Sequence, residues 1–488
     1  MGIVFKQSFK NTITIYVAFA IGGINALFLY TAFLEDTYYG LVTYLLSTAN
    51  ILMPLTAFGV QYTILKFFSS YTSQKEKDTF LSTILWMPLL IAIPFGFLGN
   101  LFYESITTYL SLKNPVVASY TYLIYLVAIA TAYFEIFYAW AKVHLQSVFG
   151  NILKELFSRV SATLLLLLVF MGYIAVEDFV YYLTATYFLR TFVMMWHAFH
   201  LYKPKFVWQV PDNFVEIIRY SFYIILAGAA GTILIDIDKF MIPQKEALAN
   251  TAYYAVAVYI GSVVETPGRA MSQIMQPLVA KALNTNQMDE VEKLYKQSSI
   301  NLLLIAGLLF LLINLNITEM YALLPKKYSG GILVVLCISA AKLYHMFLGA
   351  NGAIISNSKY YRVLLPYGVL MALSVVVLNH YLIDLMSING AALATFIVVY
   401  VFNTIKLYYV YRIFKLHPLT IKTAYLLILV VITFLGFYFW SFEMHPLLNI
   451  LAKSVLIAFF YVGIAYVFNI SSEVNKLIEG VFKLNSHN

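Results

Sequence analysis

Apolar blocks of about twenty residues recur along the whole chain, separated by short polar segments. About twenty consecutive apolar residues form a helix long enough to cross the roughly 30 Å hydrocarbon core of a bilayer. The pattern therefore predicts an all-α polytopic membrane protein with about fourteen transmembrane helices. We place the spans at residues 11–34, 41–65, 80–103, 117–141, 153–176, 179–201, 217–242, 251–275, 299–323, 331–355, 362–384, 388–410, 420–442 and 447–469.

Lysine and arginine are distributed unequally between the two sets of alternating loops. With these spans, the loops and adjoining span ends on the side of the amino terminus hold twenty of the basic residues, and those on the opposite side hold five. Basic residues in short loops stay on the cytoplasmic side of a membrane. The bias predicts that both termini are cytoplasmic and that the number of spans is even.

Composition supports a membrane protein and excludes several function classes. The 488 residues are 61% hydrophobic and 11% charged, whereas soluble domains are about a quarter charged. The net charge of +8 follows the loops, so it does not indicate nucleic-acid binding. The single cysteine, Cys337, excludes an intrachain disulfide framework. No catalytic motif is present and no loop is long enough for a catalytic domain, so we expect no enzyme and no cofactor.

A short internal similarity suggests how the spans are grouped. Residues 38–44 and 253–259 both read Tyr-Tyr-small-x-x-x-Tyr after a predicted external turn, and they lie six spans apart. An even spacing predicts a parallel repeat, with two six-helix lobes around a central cavity and two further helices. The corresponding domains are 1–205, 206–415 and 416–488, the last with a cytoplasmic tail. The alternative is coincidence in a chain with 40 tyrosines.

Two basic residues lie well inside predicted spans with no acidic neighbour three or four positions away: Arg190 and Lys342. Charges at membrane depth face protein or water rather than lipid. Each of the two therefore needs either a partner on another helix or a hydrated cavity that holds an anion, and we favour the cavity. The planar fork of arginine suits phosphate, and lysine acts as a compact charge.

Two more basic residues are spaced four positions after a glutamate. Arg159 follows Glu155, and Arg269 follows Glu265, so each pair can meet on one helix face. A structural ion pair and an anion-binding role are both open for Arg159 and Arg269.

Four carboxylates inside the spans are candidates for cation coupling: Asp236, Asp238, Glu135 and Glu265. A carboxylate in a low-dielectric environment binds a proton more readily, and the same group can bind Na⁺. The alternative for Asp236 and Asp238 is that they cap the external end of their span and pair with Lys239. No spacing of cysteine or histidine indicates a metal site.

Several short motifs together resemble a known family. Residues 235–242 read Ile-Asp-Ile-Asp-Lys-Phe-Met-Ile and precede Tyr253-Tyr254, Tyr38-Tyr39-Gly40-Leu41 follows the first span, and Asn351-Gly352-Ala353 precedes Lys359-Tyr360-Tyr361. With the span count and the basic interior, they resemble the polysaccharide flippases (O-antigen flippase type) of the multidrug/oligosaccharidyl-lipid/polysaccharide exporter superfamily. The resemblance extends over essentially the whole chain.

The resemblance implies a fold, an activity and a location. Family members have two six-helix lobes around a V-shaped cavity in the bacterial inner membrane. They move undecaprenyl-pyrophosphate-linked oligosaccharides, such as O-antigen units of lipopolysaccharide, by alternating access coupled to H⁺ or Na⁺. The expected partners are membrane lipids, the lipid-linked substrate, and the polymerase and glycosyltransferases that handle it, with no nucleic acid. The family has no strict motif to transfer, so the candidate residues follow from burial and charge.

Two other functions stay open. A cationic-drug exporter of the same superfamily would use an acidic residue in the first span, and residues 11–34 contain no carboxylate. A membrane-embedded polysaccharide polymerase or ligase would need a long external loop with catalytic residues, which the predicted topology lacks. The flippase is therefore the function that the sequence favours.

Overall fold

The computed structural model describes residues 3–475 and residue 479, and all regular structure in these residues is helical. Of the predicted cytoplasmic tail, residues 476–478 and 480–488 lie outside the described residues. Up to residue 201 the α-helices are α1 (Ile3–Ile24), α2 (Tyr30–Phe33), α3 (Asp36–Thr56), α4 (Val60–Phe67), α5 (Gln74–Leu101), α6 (Tyr103–Ser111), α7 (Thr121–Val143), α8 (Ser147–Asn151), α9 (Ser158–Phe170) and α10 (Val176–Leu201).

The remaining helices continue from residue 214 to residue 467. They are α11 (Phe214–Lys245), α12 (Leu248–Ser262), α13 (Thr266–Asn284), α14 (Met288–Leu315), α15 (Ile317–Ala322), α16 (Ile332–Phe347), α17 (Asn351–Ser356), α18 (Leu364–Met386), α19 (Ile388–Phe414), α20 (Ile421–Tyr438) and α21 (Pro446–Val467). Short 3₁₀ or π-helical segments connect several of them.

All fourteen predicted spans fall mainly on helices, but fewer of them are long and apolar enough to cross a membrane. In the described residues ten helices meet that condition, and α3 with α4 makes an eleventh if the pair, bent by 48°, is one span. The structure therefore supports the prediction of an all-helical polytopic membrane protein, but with ten or eleven candidate spans in the described residues instead of about fourteen.

The three predicted spans that do not meet the condition each have a local reason. Segment 153–176 begins with charged residues in a π-helical segment, Ile152–Phe157. Helix α10 is a continuous helix of 26 residues but is rich in tyrosine, threonine and histidine. Segment 251–275 is interrupted by a 3₁₀ turn, Val263–Glu265, between α12 and α13.

The chain divides into two compact units, and each is described separately. Unit 1 comprises residues 1–255 and 368–387. Within it, α7 packs against α3, α4 and α10, and α11 packs along α3 and α4. Its largest core cluster is rich in aromatic side chains, with Phe134, Phe137 and Trp140 fully or nearly fully buried. These contacts place α7 and α10 side by side, which positions the charged residues of both helices.

Unit 2 comprises residues 256–367 and the chain from residue 388 onward. Helix α16 packs against α14 and α19, while α14 also contacts α13, α20 and α21. One core cluster lies between α14, α20 and α21, and a second surrounds the short helix α17. The predicted lobe boundaries at residues 205 and 415 stay a prediction.

The two tyrosine motifs have different local roles in the fold. A Cβ atom built on Gly40 would lie 1.9 Å from the carbonyl oxygen of Leu248, so only glycine allows α3 to approach the start of α12 so closely. Its neighbour Tyr39 stacks on Tyr30 with ring centroids 4.7 Å apart. Tyr254 of the second motif instead donates a hydrogen bond to Asp238. The parallel repeat stays a prediction.

Candidate functional site

Arg190 is the most deeply buried of the predicted anion-binding residues. It lies on α10 of unit 1, and 5% of its surface is exposed. Its Nη1 donates a hydrogen bond of 3.0 Å to the Oγ of Ser158, whereas its Nε and Nη2 have no hydrogen-bond partner. Arginine keeps its charge in proteins, and a buried N–H group without a partner costs about 1–3 kcal/mol. Arg190 is therefore a buried cation with two donors available to a ligand.

Two aromatic rings hold the Arg190 guanidinium in place. Its central carbon lies 4.3 Å from the ring centroid of Phe134 on α7 and 4.6 Å from that of Tyr187 on α10. Aromatic faces attract a guanidinium without occupying its N–H donors. This contact orients the side chain and leaves its Nε and Nη2 donors unused. The sequence showed that Arg190 has no acidic neighbour three or four positions away, but it did not predict the aromatic rings that stabilise the guanidinium.

Two ion pairs lie in the same part of unit 1. Glu135 on α7 binds Lys154 at 2.6 Å, and Glu155 binds Arg159 at 2.8 Å. Both carboxylates are within electrostatic reach of Arg190. The Glu155–Arg159 pair was one of the two alternatives that the i,i+4 spacing allowed. The Glu135–Lys154 pair was missed, because it joins two helices.

The unit 1 cluster has more positive than negative charge. It comprises Arg190, Arg159, Lys154, Glu135 and Glu155, together with Lys142, whose Nζ lies 3.8 Å above the ring of Tyr138 and which interacts electrostatically with Glu135. Four cations face two carboxylates. The Lys154 side chain keeps 42% of its surface exposed although protein surrounds it on most sides. The cluster is therefore not fully enclosed by protein.

A π-helical segment positions the second ion pair. Residues Ile152–Phe157 form a π-helix between α8 and α9, and it packs against α1. Buried Asn25, at the start of another π-helix, donates to the carbonyl oxygen of Arg159 at 2.8 Å and accepts from Thr163 at 2.7 Å. Single π-helical turns occur frequently at functional sites. The hydrogen bonds of Asn25 fix the backbone from which Arg159 extends.

Asp236 and Asp238 occur together in the sequence but contact different helices. Asp236 pairs with Lys239 at 2.9 Å and accepts a hydrogen bond of 3.2 Å from Asn50 on α3. Both aspartates are buried, and α11 continues to Lys245 beyond them. The predicted pairing with Lys239 is thus confirmed for Asp236, and the predicted capping of a helix end is wrong.

Asp238 lies in a buried network of side chains. Its Oδ1 accepts a hydrogen bond of 2.6 Å from Asn379 Nδ2 on α18, and its Oδ2 accepts one from the hydroxyl group of Tyr254 on α12. The Oδ1 of Asn379 is buried and has no hydrogen-bond partner. A carboxylate beside a free amide oxygen suits a small cation or a proton. Neither Asn379 nor Tyr254 was predicted as a partner of Asp238, since each of them lies on another helix.

The charged residues of unit 2 form a second cluster. Lys342 on α16 pairs with Glu265 at 2.5 Å, and their side chains are 32% and 25% exposed. Arg269 and His345 are within electrostatic reach of Glu265, and Lys406 is within reach of His345. Lys342 therefore has a partner from another segment of the chain. For this residue we had favoured the other alternative, a hydrated cavity that holds an anion.

Glu265 and Arg269 do not lie on one regular helix. Glu265 ends the 3₁₀ turn that precedes α13, and Arg269 lies in the first turns of α13. The 3₁₀ geometry directs Glu265 towards α16 instead of along its own helix. Among residues 3–475, no group of three or more His, Cys, Asp or Glu side chains is arranged to hold a metal ion.

A family model described as "Polysaccharide biosynthesis protein" matches residues 7–283, which is more than half of the chain. No curated protein sequence gives a significant match. Several solved structures of membrane transporters share the fold. All of those described below are less than 15% identical to this chain, so the likeness concerns the fold alone.

One similar structure is the lipid II flippase MurJ in an inward closed conformation, which is 14% identical over 94% of this chain and 99% of its own, with a TM-score of 0.74. A multidrug resistance MATE family transporter of the MOP superfamily in an inward-facing conformation is 9% identical, with coverages of 84% and 94% and a TM-score of 0.58. A MOP superfamily transporter from Pyrococcus furiosus with a binding pocket of reversed polarity is 9% identical, with coverages of 85% and 95% and a TM-score of 0.52.

Proposed function

Because the chain belongs to the Polysaccharide biosynthesis protein family, we propose that it is a flippase for lipid-linked oligosaccharide. The proposed substrate is an undecaprenyl-pyrophosphate-linked repeat unit of O-antigen or of another surface polysaccharide. The protein moves it across the bacterial inner membrane by alternating access, with both termini in the cytoplasm. The shared fold with a lipid II flippase supports this class of substrate.

Arg190 is the observation on which the proposal depends. A buried guanidinium with two unused N–H donors, surrounded by further cations, suits a diphosphate, because phosphate oxygens accept two parallel hydrogen bonds from one arginine. We assign the diphosphate first to Arg190, with Arg159 beside it in unit 1. Arg269 and Lys342 are the corresponding candidates in unit 2, where Glu265 neutralises Lys342 in the present arrangement.

Cation coupling is assigned first to Asp238. Its buried position and the free oxygen of Asn379 favour the binding of H⁺ or Na⁺ there. Asp236, Glu135 and Glu265 each have a lysine partner and are further candidates. A bound cation biases one conformation only through its different affinity for the two states.

A drug exporter for organic cations is the second candidate, since the fold is shared with MATE transporters. The four cations against two carboxylates in unit 1 oppose it, because a positive cluster repels a cationic guest. The variant Arg190→Glu separates the two functions. If the protein is a flippase, the variant should lose transport of a diphosphate lipid; if the protein is a drug exporter, the variant should still export a cationic dye.

The direct test is transport of a fluorescent undecaprenyl-pyrophosphate-linked sugar by the full chain in proteoliposomes. Loss of a charge-assisted hydrogen bond costs about 1.5–3 kcal/mol, so Arg190→Gln should lower the rate by roughly ten- to hundred-fold. Arg190→Lys keeps the charge without the fork and should have an intermediate rate. The matched control is Arg412→Gln, at an exposed arginine of α19. Normal transport by a monodisperse Arg190→Gln protein would disprove the anion site.

A further inference from the structure

An apolar groove with a volume of about 530 Å³ lies on unit 1 between α5, α7 and α10. Its lining includes Trp86 and Leu89 of α5, Tyr133 of α7 and Phe192 of α10, and seven of its thirteen lining residues are aromatic. Both α5 and α7 belong to candidate membrane spans, so the groove is at membrane depth. The hydroxyl groups of its two polar lining residues, Tyr133 and Thr191, are hydrogen-bonded to backbone carbonyls. Such a groove at that depth suits a hydrocarbon chain.

The segment that joins α10 to α11, residues 202–213, is fixed to α5 beside this groove; we call it the strap. The hydroxyl of Tyr202 donates to Asp78 at 2.7 Å. Burial and Asp78 raise the pKa of Tyr202 to about 12, so it keeps its proton and donates at neutral pH. Ser82 donates to the carbonyl oxygen of Lys205 at 3.2 Å and accepts from the amide of Val207 at 3.3 Å.

The side chains of the strap are arranged as at a membrane interface. Phe206 belongs to the lining of the groove, while the flanking Lys205 and the nearby Lys203 are exposed. Trp208 is 87% exposed and meets Trp86 edge to face, with ring centroids 4.9 Å apart. Tryptophan prefers the headgroup level of a bilayer, and exposed lysines there attract anionic lipid. The strap thus places positive charge at the mouth of an apolar groove.

We propose that this groove and the strap form a binding site for one anionic glycerophospholipid. One acyl chain occupies the groove, and the phosphate binds to Lys203 and Lys205. The site is separate from the transport proposal, because Arg190 bonds to Ser158 and is not among the lining residues. A soluble partner does not suit the site, since α5 and α7 are in candidate membrane spans.

The charge part of the proposal is tested by native mass spectrometry of the full chain, exchanged into detergent with equal amounts of dioleoylphosphatidylglycerol and dioleoylphosphatidylcholine. About 1 kcal/mol for each lysine predicts that one phosphatidylglycerol is retained with roughly ten- to thirty-fold preference. Lys203→Gln/Lys205→Gln should lose that preference. The control Lys326→Gln/Lys327→Gln removes two exposed adjacent lysines of unit 2 and should keep it.

The groove is tested separately by Leu89→Trp, at a lining residue that is 36% exposed and so tolerates a larger side chain. The added ring should obstruct the groove and lower the retention of both lipids. Equal retention of the two lipids by the unaltered protein, or an unchanged preference in the double lysine variant, would overturn the proposal. The lysine variants alter exposed residues, so they fold whether or not the tryptophan variant does.

Discussion

Lys342 and Glu265 form an ion pair of 2.5 Å between α16 and the 3₁₀ turn that precedes α13. Glu135 and Lys154 form a similar bridge of 2.6 Å in unit 1. In each unit, a carboxylate that the sequence suggested for cation coupling is thus bound to a lysine from another segment. Further basic residues lie around each bridge, so the net charge of both clusters remains positive.

The first prediction concerns the stability of the Lys342–Glu265 pair. Glu265→Gln leaves the lysine without its counter-charge, which costs 3–5 kcal/mol for a fully buried pair. Because both side chains are partly exposed, we expect about 1–2 kcal/mol, measured as a lower Tm in detergent. Glu265→Gln/Lys342→Met should recover most of the loss. The control Glu290→Gln breaks an exposed pair with Lys293 and should change the Tm little. A double variant as unstable as the single one would contradict the pairing.

The second prediction concerns cation coupling at Asp238. Asp238→Asn keeps the shape of the side chain but removes the charge, so transport should no longer respond to a Na⁺ or H⁺ gradient. The measurement is the proteoliposome rate with and without each gradient. Asp384→Asn is the matched control, because Asp384 is a 58% exposed partner of Lys245 in the same unit. If Asp238→Asn transport is still stimulated by the gradient, the coupling ion binds elsewhere.

The third prediction concerns the packing of Gly40. A methyl group at this position would meet the carbonyl oxygen of Leu248. This oxygen belongs to the backbone, so it cannot move aside as the end of a flexible side chain could. Overpacking of this kind costs about 1–3 kcal/mol, so Gly40→Ala should lower the Tm and the yield of folded protein. Gly99→Ala is the control, because no atom lies within 4 Å of the added methyl group. Equal stability of the two variants would show that α3 and α12 do not approach so closely.

The fourth prediction concerns a buried lysine of α21 that contacts the carboxyl end of α14. Lys453 is 3% exposed and donates a hydrogen bond of 2.6 Å to the carbonyl oxygen of Leu315, the last residue of that helix. A cation at a helix C-terminus satisfies a free carbonyl and interacts favourably with the helix dipole. Lys453→Met should therefore destabilise the protein by about 1 kcal/mol. Lys422→Met removes a partly exposed lysine that donates to the carbonyl oxygen of Asn469, and it should cost less than half as much in a thermal unfolding experiment.

The positions of the helices could be predicted because the signal is local. An apolar run of about twenty residues has few structural options in a bilayer, where backbone groups must be satisfied within the segment. The same locality explains the Glu155–Arg159 pair, since residues four apart are neighbours on any helix. The span count exceeded the ten or eleven candidates because apolar length alone ignores breaks such as Val263–Glu265.

The partners of the charged residues were decided only by the tertiary structure. Whether Glu135 meets Lys154, or Lys342 meets Glu265, depends on the rotation of each helix and on which helices are neighbours. For the same reason, the sequence around Asn379 does not indicate its contact with Asp238, and the sequence of the strap does not indicate its contact with α5. The sequence by itself determined a helical membrane protein and indicated which of its predicted spans contain basic residues. Packing decided which of those charges are paired and left Arg190 with unused donors, because hydrogen bonding between helices depends on contacts that no local pattern contains.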